Sequence, residues 1–188
     1  MVNQIKRVMK ELSIKEKAKR YKVLFCDLDG TLIDTISGNT FPKGVWDMKI
    51  KFDVFDAIKE LKPEVVCIVT NQGGIQKGFV NRGHWLHKAD YICHCIKEYT
   101  GSLATYEFCS FNEKDNPRRK PNVGMLQRFM DCCKNYVKSD CLMIGDASGK
   151  EGQFSDSDKK TAENFGIDYF DIEDFKQFVE SNKCSTKL

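Results

Sequence analysis

Asp27 and Asp29 follow the apolar run Val23–Cys26 and precede Gly30-Thr31. At the carboxyl end of a buried strand, acids spaced i, i+2 leave the sheet on the same side, and Gly30 permits a tight turn beneath them. Two carboxylates this close do not both stay ionised cheaply unless a cation or a proton holds them. A Mg2+ site in which one carboxylate is also the nucleophile accounts for the pair. A strand end with an ordinary Asp-Gly turn is the plain alternative. The rest of the chain supplies complementary parts. Val65–Val69 runs into Thr70-Asn71-Gln72-Gly73-Gly74, a hydroxyl and a row of main-chain N–H groups suited to phosphate oxygens. Arg118-Arg119-Lys120-Pro121 comes ahead of a helical pattern. A lysine there would neutralise a phosphoryl group and its attacking carboxylate, and Pro121 suits a first helical turn. Leu142-Met143-Ile144 ends in Gly145-Asp146, a further acid at a strand end and a candidate metal ligand. Asp156 and Asp158 follow, and either would serve as a helix N-cap instead.

Such residues act together only if four strand ends meet. The pattern predicts strands over Tyr21–Cys26, Val65–Val69, Thr105–Phe111, Cys141–Ile144 and Ile167–Phe170. Between them it predicts helices over Asp53–Leu61, Arg82–Tyr99, Val123–Tyr136, Ser157–Asn164 and Ile172–Ser181. Continuous apolar strands alternating with amphipathic helices imply a doubly wound, mostly parallel α/β sheet, and in such sheets ligands bind at the carboxyl ends of the strands. Residues 34–50 are a hairpin-sized excursion, too short for a closing cap. A chain of 188 residues with 41% hydrophobic and 30% charged content holds one such domain, here residues 21–188. Residues 1–20 are expected to make a basic helix or arm. No apolar run approaches membrane-spanning length and the N-terminus lacks a secretory apolar stretch. Several of the nine cysteines lie inside apolar patterns, which implies an intracellular chain with reduced thiols. The net charge of +3 does not by itself call for nucleic acid.

DxDGT, Thr70, Lys120 and Gly145-Asp146, in that order and at those strand ends, resemble the four motifs of the haloacid dehalogenase superfamily. The resemblance implies a Rossmann-like fold in which Asp27 attacks phosphorus and forms an aspartyl-phosphate. Asp29 then protonates the leaving oxygen and later deprotonates the attacking water. Thr70 and Lys120 bind the phosphoryl group, and Mg2+ is held by Asp27, the Asp29 carbonyl and Asp146.

Further stretches resemble the 3′-phosphatase domain of polynucleotide kinase 3′-phosphatases: TISGNTFP from Thr35, TNQGGIQKG from Thr70, RKPNVGM from Arg119, GDASGK from Gly145 and FSDSDKKTAENFGI from Phe154. In the last of these Asp158 takes the place of a later acid, a supporting residue behind the site, and Asp156 is extra. Trp46-Asp47-Met48 departs from the family's Asp-Trp. The implied partner is a DNA 3′-phosphate end, with RNA left open. Asn71, Gln72, Gly73, Lys77, Arg82 and Arg119 are the candidate substrate contacts, and His84, Lys88 and Arg118 are further cations near them. Phe41, Trp46 and Trp85 are stacking candidates, with core packing the alternative.

The histidinol-phosphate and heptose-bisphosphate phosphatases share DxDGT, TNQGGI and RKP and make the rival reading. Their zinc loop has no counterpart, because residues 109–118 hold one cysteine and no histidine and a zinc site needs about four ligands; no zinc is expected. Cys93-His94-Cys95 on a helix diverge and cannot share one ion. Gly149-Lys150 lacks phosphate-loop spacing. A catalytically silent module that binds nucleic-acid ends is the non-enzymatic alternative.

Overall fold

The computed structural model describes residues 21–39 and 42–184. The expected N-terminal helix and the stacking candidate Phe41 lie outside them. Five strands form the main sheet: β1 (Val23–Cys26), β4 (Val65–Asn71), β5 (Leu103–Cys109), β6 (Cys141–Gly145) and β7 (Asp168–Asp171). Their order is β5-β4-β1-β6-β7 and every pairing is parallel. Two short strands, β2 (Ile33–Asp34) and β3 (Lys49–Ile50), pair antiparallel at the base of the flap formed by residues 35–48. The helices are α1 (Phe52–Leu61), α2 (Arg82–Thr100), α3 (Gly124–Cys132), α4 (Ser157–Phe165) and α5 (Ile172–Cys184).

The strands are apolar throughout because both faces of the sheet are covered. Leu24, Cys26, Val66, Ile68, Leu142 and Ile144 point into one layer with Phe55, Ile58, Trp85, Ile92 and Phe175, beneath α1, α2 and α5. Val23, Phe25, Cys67, Val69, Cys141 and Met143 alternate to the other layer with Met125, Leu126, Phe129 and Phe165, beneath α3 and α4. This two-residue alternation across a parallel sheet is the doubly wound arrangement. Trp85 is therefore a core residue, 1% exposed, and not a stacking surface. Among the described residues no helix is long and apolar enough to cross a membrane.

Several expected boundaries move, most of all the end of α3, which stops at Cys132 and not at Tyr136. β5 begins two residues early, because Gly101 caps α2 in the left-handed conformation and turns the chain directly into the strand. The α3 helix starts at Gly124, so Pro121 is not in its first turn. Residues 117–124 instead fold back on themselves, with the Gly124 N–H donating to the Pro117 carbonyl at 2.8 Å.

In register, Cys26 lies beside Ile68 on one side and Ile144 on the other. The next residues along β1, β4 and β6 therefore emerge together. The chain leaves β1 for β4 and β5 on one side and returns for β6 and β7 on the other. The crevice above β1 is thus the point where strand order reverses.

Candidate active site

Four loops converge above β1. Asp27 leaves the end of β1 with its main chain still held to the sheet, its N–H donating to the Ile144 carbonyl at 3.1 Å. Lys120 arrives from the loop before α3 and is buried. Its Nζ donates to Asp27 Oδ1 at 2.5 Å and to Asp158 Oδ1 at 2.7 Å. Asp158 stands in the first turn of α4, where its Oδ2 accepts the Ala147 N–H at 3.2 Å. Asp146 follows β6 and accepts from Thr31 Oγ1 at 3.3 Å. Two glycines make this crowding possible. A side chain at Gly30, whose φ is +87°, would overlap the Asp146 carboxylate, and one at Gly145 would overlap that of Asp158.

Asp27, Asp146 and Asp158 each offer an oxygen within 4.8 Å of the others, the one such group among the described residues. Burial pushes the Asp27 carboxyl well up; Lys120 pulls it down, while Asp158 and Asp146 add to the rise. Asp146 is raised as well, by burial first and then by Asp158. Burial alone would lower Lys120, but the Asp158 and Asp27 charges outweigh it and hold the ammonium above its ordinary value. Among the described residues three carboxyls stand against one lysine, which leaves the pocket short of positive charge. Their hard oxygens suit a small divalent cation.

Asp29 sits apart from that cluster, and its side chain is 47% exposed. Gln72 Nε2 donates to Asp29 Oδ2 at 2.8 Å and to Thr70 Oγ1 at 2.9 Å, and Lys88 Nζ lies 3.6 Å from Asp29 Oδ1. Thr70 is buried at the end of β4.

Other expected residues hold other posts. The Asn71 side chain brackets the main chain of Lys120, accepting its N–H at 2.9 Å and donating to its carbonyl at 3.1 Å. Gly73 accepts Asn112 Nδ2 through its carbonyl at 2.9 Å. Lys88, a candidate for tracking backbone phosphates, is only 3% exposed and is turned inward against Asp29. Arg118 is engaged by Glu107 at 2.8 Å, and Arg119 donates to the Phe111 carbonyl at 2.9 Å. Asp156 pairs with Lys160 at 2.6 Å, away from the cluster. Lys77, Arg82 and His84 are exposed. Cys109 is buried with its thiol toward Phe111 and Asn116. In the flap, Asp47 accepts from the Ser37 N–H and Oγ and from the Lys43 N–H at 2.6–2.8 Å. These bonds hold its carboxyl down to about 2. The residue that departs from the family pattern thus closes the flap on itself.

A buried carboxylate gripped by a lysine, a second acid two residues on, a buried hydroxyl and a cation-hungry acidic cluster suit phosphoryl transfer. Residues 22–175 match the family model described as polynucleotide kinase 3 phosphatase. The chain belongs to the polynucleotide kinase 3 phosphatase family. It is a phosphatase of the haloacid dehalogenase type.

Within this family's reach, the chain is 29% identical over 173 residues to an uncharacterized 20.8 kDa protein of Autographa californica nuclear polyhedrosis virus, covering 88% of this chain and 91% of that one. It is 31% identical to the bifunctional polynucleotide phosphatase/kinase of Schizosaccharomyces pombe over 84% of its own length, though it spans 38% of that protein. Among solved structures, the D,D-heptose 1,7-bisphosphate phosphatase of B. bronchiseptica, complexed with magnesium and phosphate, shares the fold. The TM-score is 0.61 at 17% identity, over 89% of this chain and 99% of the other.

Proposed function

We propose that the protein is a Mg2+-dependent polynucleotide 3′-phosphatase that removes 3′-phosphates from DNA ends within the cell, in the repair of such ends. The observation that carries this reading is a site that the described residues leave uncovered. Among the described residues the stretch between β1 and α1 carries only the short strands β2 and β3 and their flap, and Asp29 stays half exposed beside the buried Asp27. Phe79, on the loop after β4, is 81% exposed; Phe111, after β5, and Trp46, on the flap, are also exposed. Exposed aromatic rings and cations on the segments that follow the carboxyl ends of β1, β4 and β5 suit the bases and backbone of a polymer end.

In this reading Asp27, Asp146 and the Asp29 carbonyl would hold Mg2+, which would supply positive charge toward the phosphoryl oxygens, and zinc would have no role. Asp27 attacks phosphorus as the bond to the 3′-oxygen breaks, and Asp29 gives that oxygen its proton. Water then attacks the aspartyl-phosphate, losing a proton to Asp29 and releasing phosphate and the Asp27 carboxylate. Lys120 balances charge on Asp27 throughout, and the Thr70 hydroxyl binds an equatorial oxygen.

The test is phosphate release in Mg2+ from a 3′-phosphorylated oligonucleotide, a 3′-mononucleotide, histidinol phosphate and a heptose bisphosphate. The oligonucleotide should have the highest kcat/KM, and Asp27→Asn should abolish its turnover while preserving the fold, since an amide cannot attack phosphorus. Preference for histidinol phosphate or the heptose bisphosphate would replace the reading with the small-molecule one. Binding of 3′-phosphate ends with no release from any substrate would make the protein a silent end-binding module.

A further inference from the structure

We infer that Lys88, together with Gln72, is a positioning residue that fixes the direction of the Asp29 carboxylate for proton transfer. The inference rests on the aspartyl-phosphate reading above and assigns a residue which the motifs do not contain.

Lys88 lies on the inward stripe of α2, between Trp85 and Ile92, where a lysine has no packing reason to stand. An ammonium that is 3% exposed forfeits most of its hydration and needs an anion nearby. Among the described residues its one ion pair is with Asp29, at 3.6 Å. On the other side of the same carboxylate, Gln72 donates to Oδ2 at 2.8 Å and is itself anchored on Thr70 at 2.9 Å. A half-exposed aspartate on a turn would ordinarily turn about its χ angles. Here each oxygen is addressed from a different element, Oδ1 from α2 and Oδ2 from the end of β4. The carboxylate is thereby aimed while one face stays open to substrate.

Direction matters twice in the reaction. As the Asp27 oxygen bonds to phosphorus and the P–O bond to the leaving group breaks, the departing electron pair takes its proton from Asp29. As water adds and the Asp27–phosphorus bond breaks, the water proton goes to Asp29. A misdirected carboxylate slows the first step most where the leaving oxygen is basic, as in a sugar alkoxide, and least where it is a good leaving group.

The experiment compares kcat/KM for a 3′-phosphorylated oligonucleotide and for glycerol 2-phosphate, both alkyl phosphates, with that for 4-nitrophenyl phosphate, in wild type and Lys88→Met. The variant should lose roughly ten- to a hundredfold on the alkyl substrates, with KM little changed, and several times less on the aryl phosphate. Lys88→Arg, which keeps the charge, should recover part of the alkyl loss. Asp29→Asn should cost less in the Lys88→Met background than in wild type, because both act on one proton transfer. Urea unfolding of the metal-free proteins should find Lys88→Met folded with an unchanged slope. If Lys88→Met does not fold, Gln72→Leu approaches Asp29 from the other side and should give the same alkyl–aryl split. Equal losses on both leaving groups in a folded variant, or additive losses with Asp29→Asn, would overturn the inference. Failure of the polynucleotide reading shows separately, as a wild type that cleaves glycerol 2-phosphate but not the oligonucleotide.

Discussion

Lys120 between Asp27 and Asp158 is the tightest piece of the site, and its position explains the order of charges around it. Taking one ammonium and two carboxylates out of water is costly unless each is hydrogen-bonded to the others. The 2.5 and 2.7 Å hydrogen bonds meet that need. Among the described residues Asp146 has no lysine of its own, and its carboxyl is raised by burial and by Asp158. A carboxyl raised on folding contributes stability that is full below its unfolded pKa and is lost as pH rises through the folded value. Without metal, Asp146 and Asp27 should therefore weaken the fold toward neutral pH, and a bound divalent cation should reverse this. Asp146→Asn removes one of these charges. Its metal-free stability relative to wild type should rise as pH goes from about 4 to about 7. Adding Mg2+ at neutral pH should raise the Tm of wild type and raise that of the variant much less. Thermal melts at several pH values, with and without Mg2+, check both points. An equal Mg2+ response in the two proteins would remove Asp146 from the metal site.

At the scale of elements, the site is held by brackets between loops that are distant in sequence. Asn71 ties the end of β4 to the main chain of Lys120 through both an accepted and a donated hydrogen bond. Asn71→Ala leaves a sheltered N–H and C=O without these partners, which costs on the order of 1–3 kcal/mol for each group left unpaired. Urea unfolding should show a lower midpoint at constant slope, and kcat should fall because Lys120 loses its seat. Unchanged stability would mean the loop before α3 is held elsewhere.

The bracket also marks the limit of what could be read from the chain. The strands carrying Asp27, Thr70 and Asp146 were legible because unbroken apolar runs must be buried on both faces, so their polar successors had to emerge at one edge. Four strand ends in the right order then pointed to the carboxylate–lysine cluster. The bracket that Asn71 makes could not be foreseen, because its partner, the main-chain N–H and C=O of Lys120, has no signature in sequence. Lys88 reads as a surface cation because nothing in the chain's order tells that Asp29 stands beside it. Its sole clue was its place on the Trp85–Ala89–Ile92–Ile96 stripe, where helical spacing turns a side chain inward. Pro121 suggested a helix start, but the main-chain bond from Gly124 to Pro117 closes a loop first.

The whole molecule sets a centre of buried chemistry at the crevice above β1 and leaves its mouth to loops. Net charge is only +3, so any pull on a polyanion comes from where the cations stand and not from their number. Arg118 keeps a side chain 38% exposed but is tied to Glu107, and Lys88 is turned inward, so the first is already paired and the second is off the outer surface. Lys77 stays exposed on the loop after β4, and Arg82 is exposed at the start of α2, its guanidinium 5.9 Å from the Phe108 ring centroid. If the substrate is a polymer end, these two act on its backbone phosphates and not on the bond being broken. Replacing both with glutamine should raise KM for a 3′-phosphorylated oligonucleotide. It should also flatten the dependence of kcat/KM on salt, by about one unit of logarithmic slope for each backbone phosphate that is no longer neutralised. The preference for the oligonucleotide over 4-nitrophenyl phosphate should shrink accordingly, since an aryl phosphate has no backbone to hold. Steady-state kinetics across a salt series decides the matter. A salt slope unchanged by the double substitution would place the nucleic acid elsewhere on the surface, and equal losses on both substrates would move Lys77 and Arg82 into the support of the site itself.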